Sequence, residues 1–247
     1  MKNMLNVIEL ERKLSPGSTL DKIETFQNRM VKKTARLHGE RPDYPEDPYW
    51  KPLPLNVGAE EKEKYHPSGQ LEKKTVYNPF LMYQSLFDPN IIREVAEHEG
   101  IHAGTPGKIL LSHLYLDLKD GRIKIGYIEP DSVLRSKYPL GEVIIEGGVK
   151  VISEKIGGVK QRAYPISSIM VEEIDKKYSL VQIQKLAGIA EKKLVEEDYS
   201  KFTHDINNFK ISEIPNELLE LLYVLNQPEI VGIVRKYAPK TDLSYVI

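Results

Sequence analysis

The 247-residue sequence predicts an α+β protein, mostly helical, with a small β-sheet and a helical C-terminal part. Three observations lead there. Apolar residues recur at helical spacing in several segments, most densely after Pro165. Two short alternating runs, Leu114-Leu116-Leu118 and Ile123-Ile125-Tyr127, flank a turn at Lys119-Asp120-Gly121. Prolines crowd one stretch between the first helix and everything that follows.

In chain order, residues 18–37 read as a helix. Ser18 or Thr19 can cap it, Asp21 and Glu24 suit its first turns, and Leu20, Ile23, Phe26, Met30 and Ala35 repeat near helical spacing until Gly39. Arg29, Lys32, Lys33 and Arg36 read as its solvated face. Pro42, Pro45, Pro48, Pro52, Pro54 and Pro67 then forbid one long helix or central strand. With Tyr44, Tyr49, Trp50 and Leu55 interleaved, this is an extended arm that lays its aromatics on the domain surface. The expected division is therefore residues 1–70 as helix and arm, and 71–247 as the functional part. Asp88 as N-cap and Pro89 at the first helical position open a helix to Ala103, stopped by Gly104 and Pro106. Ile109–Leu118 reads as a strand, with His113 in it and an edge that could hold an extended peptide. The C-terminal helices fall at 166–176, 179–197 and 214–237, the last broken near Pro228.

Composition narrows the function. With 35 basic and 36 acidic residues and a formal net charge of −1, the chain lacks the basic excess of a nucleic-acid binder. The absence of cysteine removes disulfides, thiolate ligands and a cysteine nucleophile. No window reaches the roughly 18 apolar residues of a membrane span, and residues 1–13 do not read as a signal peptide. A cytoplasmic protein without nucleic-acid or membrane partners is the expectation.

Chemistry concentrates in Glu97-His98-Glu99-Gly100-Ile101-His102, which contains H-E-x-x-H. Four residues slightly exceed one helical turn, so His98 and His102 project side by side and can take two corners of a tetrahedral zinc site. Glu99 is offset from them and free to act on a water whose pKa zinc lowers to about 7. Ile91 and Val95 precede the histidines at seven-residue intervals, which puts the pair on the buried face. With six histidines in the chain, chance produces the pattern about once in a hundred such sequences.

The segment resembles the zincin metallopeptidases over about residues 88–156. Thr105 and Lys108 stand where metzincins carry a Gly and a third His, so that subclass is excluded. Glu146-Gly147, beyond His102, resembles the Glu-Gly element by which gluzincins supply their third ligand from a later helix. The resemblance thus implies a zincin-like catalytic core binding Zn2+ through His98, His102 and Glu146. Two readings of 142–156 stand: a second helix ending at Gly157-Gly158, or a hairpin turning on Gly147-Gly148. The helix requires a reason for paired glycines, which cost about 1 kcal/mol each relative to alanine. Close approach to the active-site helix is one. If the hairpin holds, Glu129, Glu142 or His113 become third-ligand candidates.

Tyr127 and Tyr164 are candidates for stabilising an oxyanion. Gly104-Thr105-Pro106-Gly107-Lys108 reads as a helix stop and turn, because Ile109 stands where a P-loop needs Ser or Thr. The expected function is zinc-dependent hydrolysis of a peptide or protein substrate with Glu99 as general base. The rivals are a non-catalytic zincin-like module that binds protein partners, and a zinc hydrolase of another carbonyl.

Overall fold

The computed structural model describes residues 16–66, 68, 70–126, 136–204 and 214–240, and the fold is mixed α+β. Helix α1 spans Pro16–His38 and ends at Gly39, whose φ is +76°. It starts before the expected position, so residues 18 and 19 lie within it and not at its N-cap position. Its basic residues are not simply a solvated face. Arg29 pairs with Glu97, and Lys33 Nζ donates to the Ile156 carbonyl at 2.9 Å.

The proline-rich stretch is extended, but only part of the expected packing occurs. Trp50 meets Tyr77 edge-on, with ring centroids 6.4 Å apart, while Tyr44, Tyr49 and Leu55 remain exposed. Asn78 holds the stretch by donating its side-chain amide to the carbonyls of Leu53, Pro54 and Val57. The arm ends earlier than the prolines suggest. β2 (Ala59–Tyr65) pairs antiparallel with β3 (Leu71–Tyr77), and β1 (Tyr49–Trp50) joins β3 in parallel. The sheet order β1-β3-β2 leaves β2 at an edge, and residue 70 falls between two paired strands. β2 reads Ala-Glu-Glu-Lys-Glu-Lys-Tyr, with Ala59, Glu61, Glu63 and Tyr65 on its inner side. Carboxylates occupy positions where apolar residues would have announced a strand.

After α2 (Phe80–Gln84) comes α3 (Ile91–Gly104), which carries the H-E-x-x-H motif. It begins at Ile91, later than expected. The Asp88 carboxylate accepts from the Asn90 amide at 3.0 Å in the preceding turn and does not cap the helix proper. The expected strand from Ile109 is corrected as well. Lys108–Ser112 is a short helix, α4, and only Leu114–Asp117 is strand β4. His113 lies between them, its Nδ1 donating to the Ile109 carbonyl at 2.6 Å. β4 is central in a second sheet, between β5 (Ile123–Ile125) and β6 (Lys137–Tyr138). The β4–β5 turn uses Gly121 at φ +72°. Tyr127 and Glu129 lie outside the described residues.

Residues Leu140–Ile156 form one helix, α5, closed by left-handed Gly157, so the hairpin reading of 142–152 is set aside. The paired glycines have a different reason from the one expected. A Cβ on Gly147 would stand 2.6 Å from the Ser167 carbonyl carbon in α6 (Pro165–Lys177), while Gly148 faces Leu180 and Gln184. The close approach is therefore to α6, not to the motif helix. Helices α7 (Leu180–His204), α8 (Asn216–Leu225) and α9 (Pro228–Tyr237) complete the C-terminal part, broken before Pro228 as expected. Among the described residues no helix is long and apolar enough to cross a membrane.

The larger apolar core gathers residues such as Ile101, Leu114, Ile144, Ile152, Met170 and Leu180, and a smaller one joins Ile23, Tyr77, Leu81 and Ala96. Helix α3 touches both. It packs onto α1 through Gly100 and Gly104: a Cβ on the first would strike the Gln27 carbonyl, and on the second would lie 2.7 Å from Thr34 Cβ. Gln27 in turn donates to Thr75 Oγ1 at 2.5 Å and accepts from the Tyr77 hydroxyl at 3.2 Å. Gly100→Ala is accordingly expected to destabilise the protein by about 1–3 kcal/mol through overpacking, measured by denaturant unfolding.

Candidate metal centre

Helix α3 presents His98 and His102 one turn apart, and α5 brings Glu146 against them. His98 Nε2 lies 2.9 Å from His102 Nε2, and each stands 3.3 Å from Glu146 Oε2. These are three of the kinds of atom that hold zinc, and among the described residues they form a group able to hold a metal ion. Two sides of the triangle match a tetrahedron with ligand distances of about 2.0–2.1 Å, whose edges are about 3.3 Å, and the His98–His102 side is shorter. Of the other third-ligand candidates, Glu142 sits one turn before Glu146 and outside the triangle, and His113 is committed to Ile109.

His98 and Glu146 shift one another's proton affinity. Burial alone would lower the His98 pKa, but the Glu146 carboxylate outweighs it and pushes His98 up to about 9. Burial would likewise raise Glu146, yet His102 and His98 keep it well below the usual carboxylate range. A cation in the triangle would compete with the His98 proton, so its binding is coupled to release of that proton. Glu99, 6% exposed, stands outside the triangle. Burial raises its pKa and Glu146 adds to the effect, against the opposing pull of His98 and His102. A carboxylate with raised proton affinity is chemically suited to accepting a proton from a neighbouring group.

The loop after α5 closes over the motif helix, fastened by two carboxylates of α3. Glu97, fully buried, accepts from Arg29, from Arg93 Nε at 2.8 Å and from the Val159 amide at 2.8 Å. Glu94 accepts from the Arg162 amide at 2.9 Å and from Arg162 Nε at 2.7 Å. Between these anchors Gln161 Oε1 lies 3.3 Å from His98 Nδ1. Accepting a hydrogen bond from Nδ1–H there favours the tautomer that leaves Nε2 free to ligate, a common support of metal-bound histidine. The same loop places the Tyr164 ring 6.1 Å from that of His98 and holds Tyr164 at φ +50°, a left-handed conformation unusual outside glycine.

Gln161, Arg162, Glu94 and Glu97 were not singled out from the sequence. Only Glu94 carries a signal: it precedes His98 by four residues, so a carboxylate shares the inward face and requires a cationic partner. Nothing in the sequence identifies that partner as Arg162. His98, Glu99, His102, Glu146 and Tyr164 all line one cavity of about 1240 Å³, with β2 and the loop around Gln161 among its walls.

Comparison with protein-family models, curated proteins and solved structures gives no match for this chain.

Proposed function

We propose that the protein is a zinc-dependent peptidase of gluzincin-like design. The observation that carries the reading is that nitrogen and oxygen donors of His98, His102 and Glu146, drawn from two helices, converge to 2.9–3.3 Å of one another while Glu99 stands beside them. His98, His102 and Glu146 would hold zinc, which supplies Lewis acidity and an activated water.

The remaining work falls to the chain's own groups. Glu99 accepts a proton from the attacking water and returns it to the departing amide nitrogen. Gln161 keeps His98 in its ligating tautomer. Tyr164, which lines the same cavity with its ring 6.1 Å from that of His98, is the group we assign to the developing oxyanion. The edge of β2 that no described strand pairs, whose Ala59, Glu60 and Glu61 line the cavity, offers main-chain groups to an extended peptide. That role was expected of the strand from Ile109, which proves to be partly helical.

The test is a digest of a broad peptide library read by mass spectrometry. Cleavage abolished by a chelator and restored by zinc is the expected result. A metal-replete protein that cleaves nothing would remove the peptidase reading and leave a non-catalytic module or a hydrolase of another carbonyl.

A further inference from the structure

Residues 157–164 join α5 to α6 and bring two side chains to the site, Gln161 and Tyr164. The upstream end of this loop is tied to α5 and to α3. The Gly158 amide donates to the Ser153 carbonyl at 2.8 Å, Ser153 Oγ donates to the Val159 carbonyl at 2.8 Å, and the Val159 amide donates to Glu97. Between Val159 and the start of α6 at Pro165, Arg162 carries the fastening to α3. Its amide and its Nε both donate to the Glu94 carboxylate, and its Nη2 donates to Asp88 Oδ2 at 2.8 Å. Gln161 is the preceding residue, so the position of Arg162 governs where Gln161 Oε1 meets His98.

The guanidinium stands apart from the core. The Arg162 side chain is 56% exposed, against 12% for that of Glu94. An ion pair so close to solvent contributes little to overall stability. Its fork nevertheless holds two carboxylates in one geometry, Asp88 ahead of α3 and Glu94 within it. What that geometry secures is local. On one side lies Gln161, which is buried, and two residues further on lies Tyr164 with its left-handed backbone. Such a conformation persists only where its surroundings impose it.

Resting on the metal site of the reading above, though not on peptide cleavage, we propose that Arg162 is a positioning residue for the metal. By clasping Glu94 and Asp88 it holds Gln161 against His98 and so strengthens zinc binding. Partners that orient a ligating histidine are commonly worth about 10–100-fold in metal affinity. Arg162 acts one step further out, through Gln161.

The test measures the zinc affinity of the full chain by competition with a chromophoric chelator. Arg162→Gln and Gln161→Ala are each expected to weaken zinc binding by about tenfold or more. Both substitutions remove the same support, so the double variant should be no weaker than Gln161→Ala alone. Arg162→Lys keeps the charge but not the fork, and should fall between wild type and Arg162→Gln. Metal-free Arg162→Gln should melt close to wild type.

An affinity untouched by Arg162→Gln would overturn the proposal and leave the metal site intact. Equal weakening by Arg162→Gln with and without Gln161 would overturn it too, since the effect would not pass through Gln161. If Arg162→Gln does not fold, Asp88→Asn, which removes only the outer partner, decides by the same comparison. A wild type with no measurable affinity for zinc would remove the metal site itself, and this role of Arg162 with it.

Discussion

Glu99→Gln is expected to lower peptide turnover by a factor of about 10²–10⁴, the usual contribution of a positioned acid–base group, while zinc content stays that of wild type. The two halves of the result have separate causes. Glutamine keeps the size of the side chain but cannot accept the proton, so the chemical step suffers. Glu99 lies outside the triangle of His98, His102 and Glu146, so the metal has no reason to leave. The fold should also hold. Burial raises the Glu99 pKa, which means the native state disfavours its charged form. A group of this kind costs stability as pH rises through its titration, and a neutral amide removes that cost. The metal-free variant should therefore melt no lower than wild type at neutral pH. Steady-state kinetics beside elemental analysis reads both effects, and equal loss of metal and activity would assign Glu99 a ligand's role instead.

His98→Ala combined with His102→Ala should abolish high-affinity zinc binding and, with it, chelator-sensitive cleavage. Two of the three donors disappear, and Glu146 remains as a single carboxylate. A ligand that binds only the native state stabilises it by about 4 kcal/mol at a thousandfold excess over its Kd. For a chain of this size that raises the melting temperature by about 10 °C. Zinc should thus shift the thermal transition of wild type and leave that of the double variant in place. Glu146→Gln should fall between the two, because the imidazoles persist while the anionic donor is lost. A zinc-induced shift in the double variant equal to that of wild type would put the ion elsewhere.

How much of this was legible beforehand depended on whether the deciding force was local. The spacing of His98 and His102, the inward face marked by Ile91 and Val95, and the C-terminal helices follow from helical periodicity, and all appear in the structure. Local preference misled where tertiary contact decided. Gly147 and Gly148 looked like a turn, yet they sit in α5 because α6 and α7 pack closely there. Glu61 and Glu63 concealed a strand, because their inward positions are justified by Lys108 across the cavity and not by apolar burial. Ile109 to Ser112 alternated less than it seemed, and a single helical turn precedes β4. The loop that supports His98 left almost no trace, since Gln161 and Arg162 acquire their meaning only from Glu94 and Glu97 some 65 residues earlier.

The central claim is that His98, His102 and Glu146 are a metal site, and metal analysis of the purified protein tests it most directly. After incubation with zinc and removal of the excess, wild type should retain about one zinc ion per chain, as a three-donor protein site does, and the His98→Ala/His102→Ala double variant should retain almost none. Wild type emerging without stoichiometric metal, or a folded double variant that keeps it, would contradict the account.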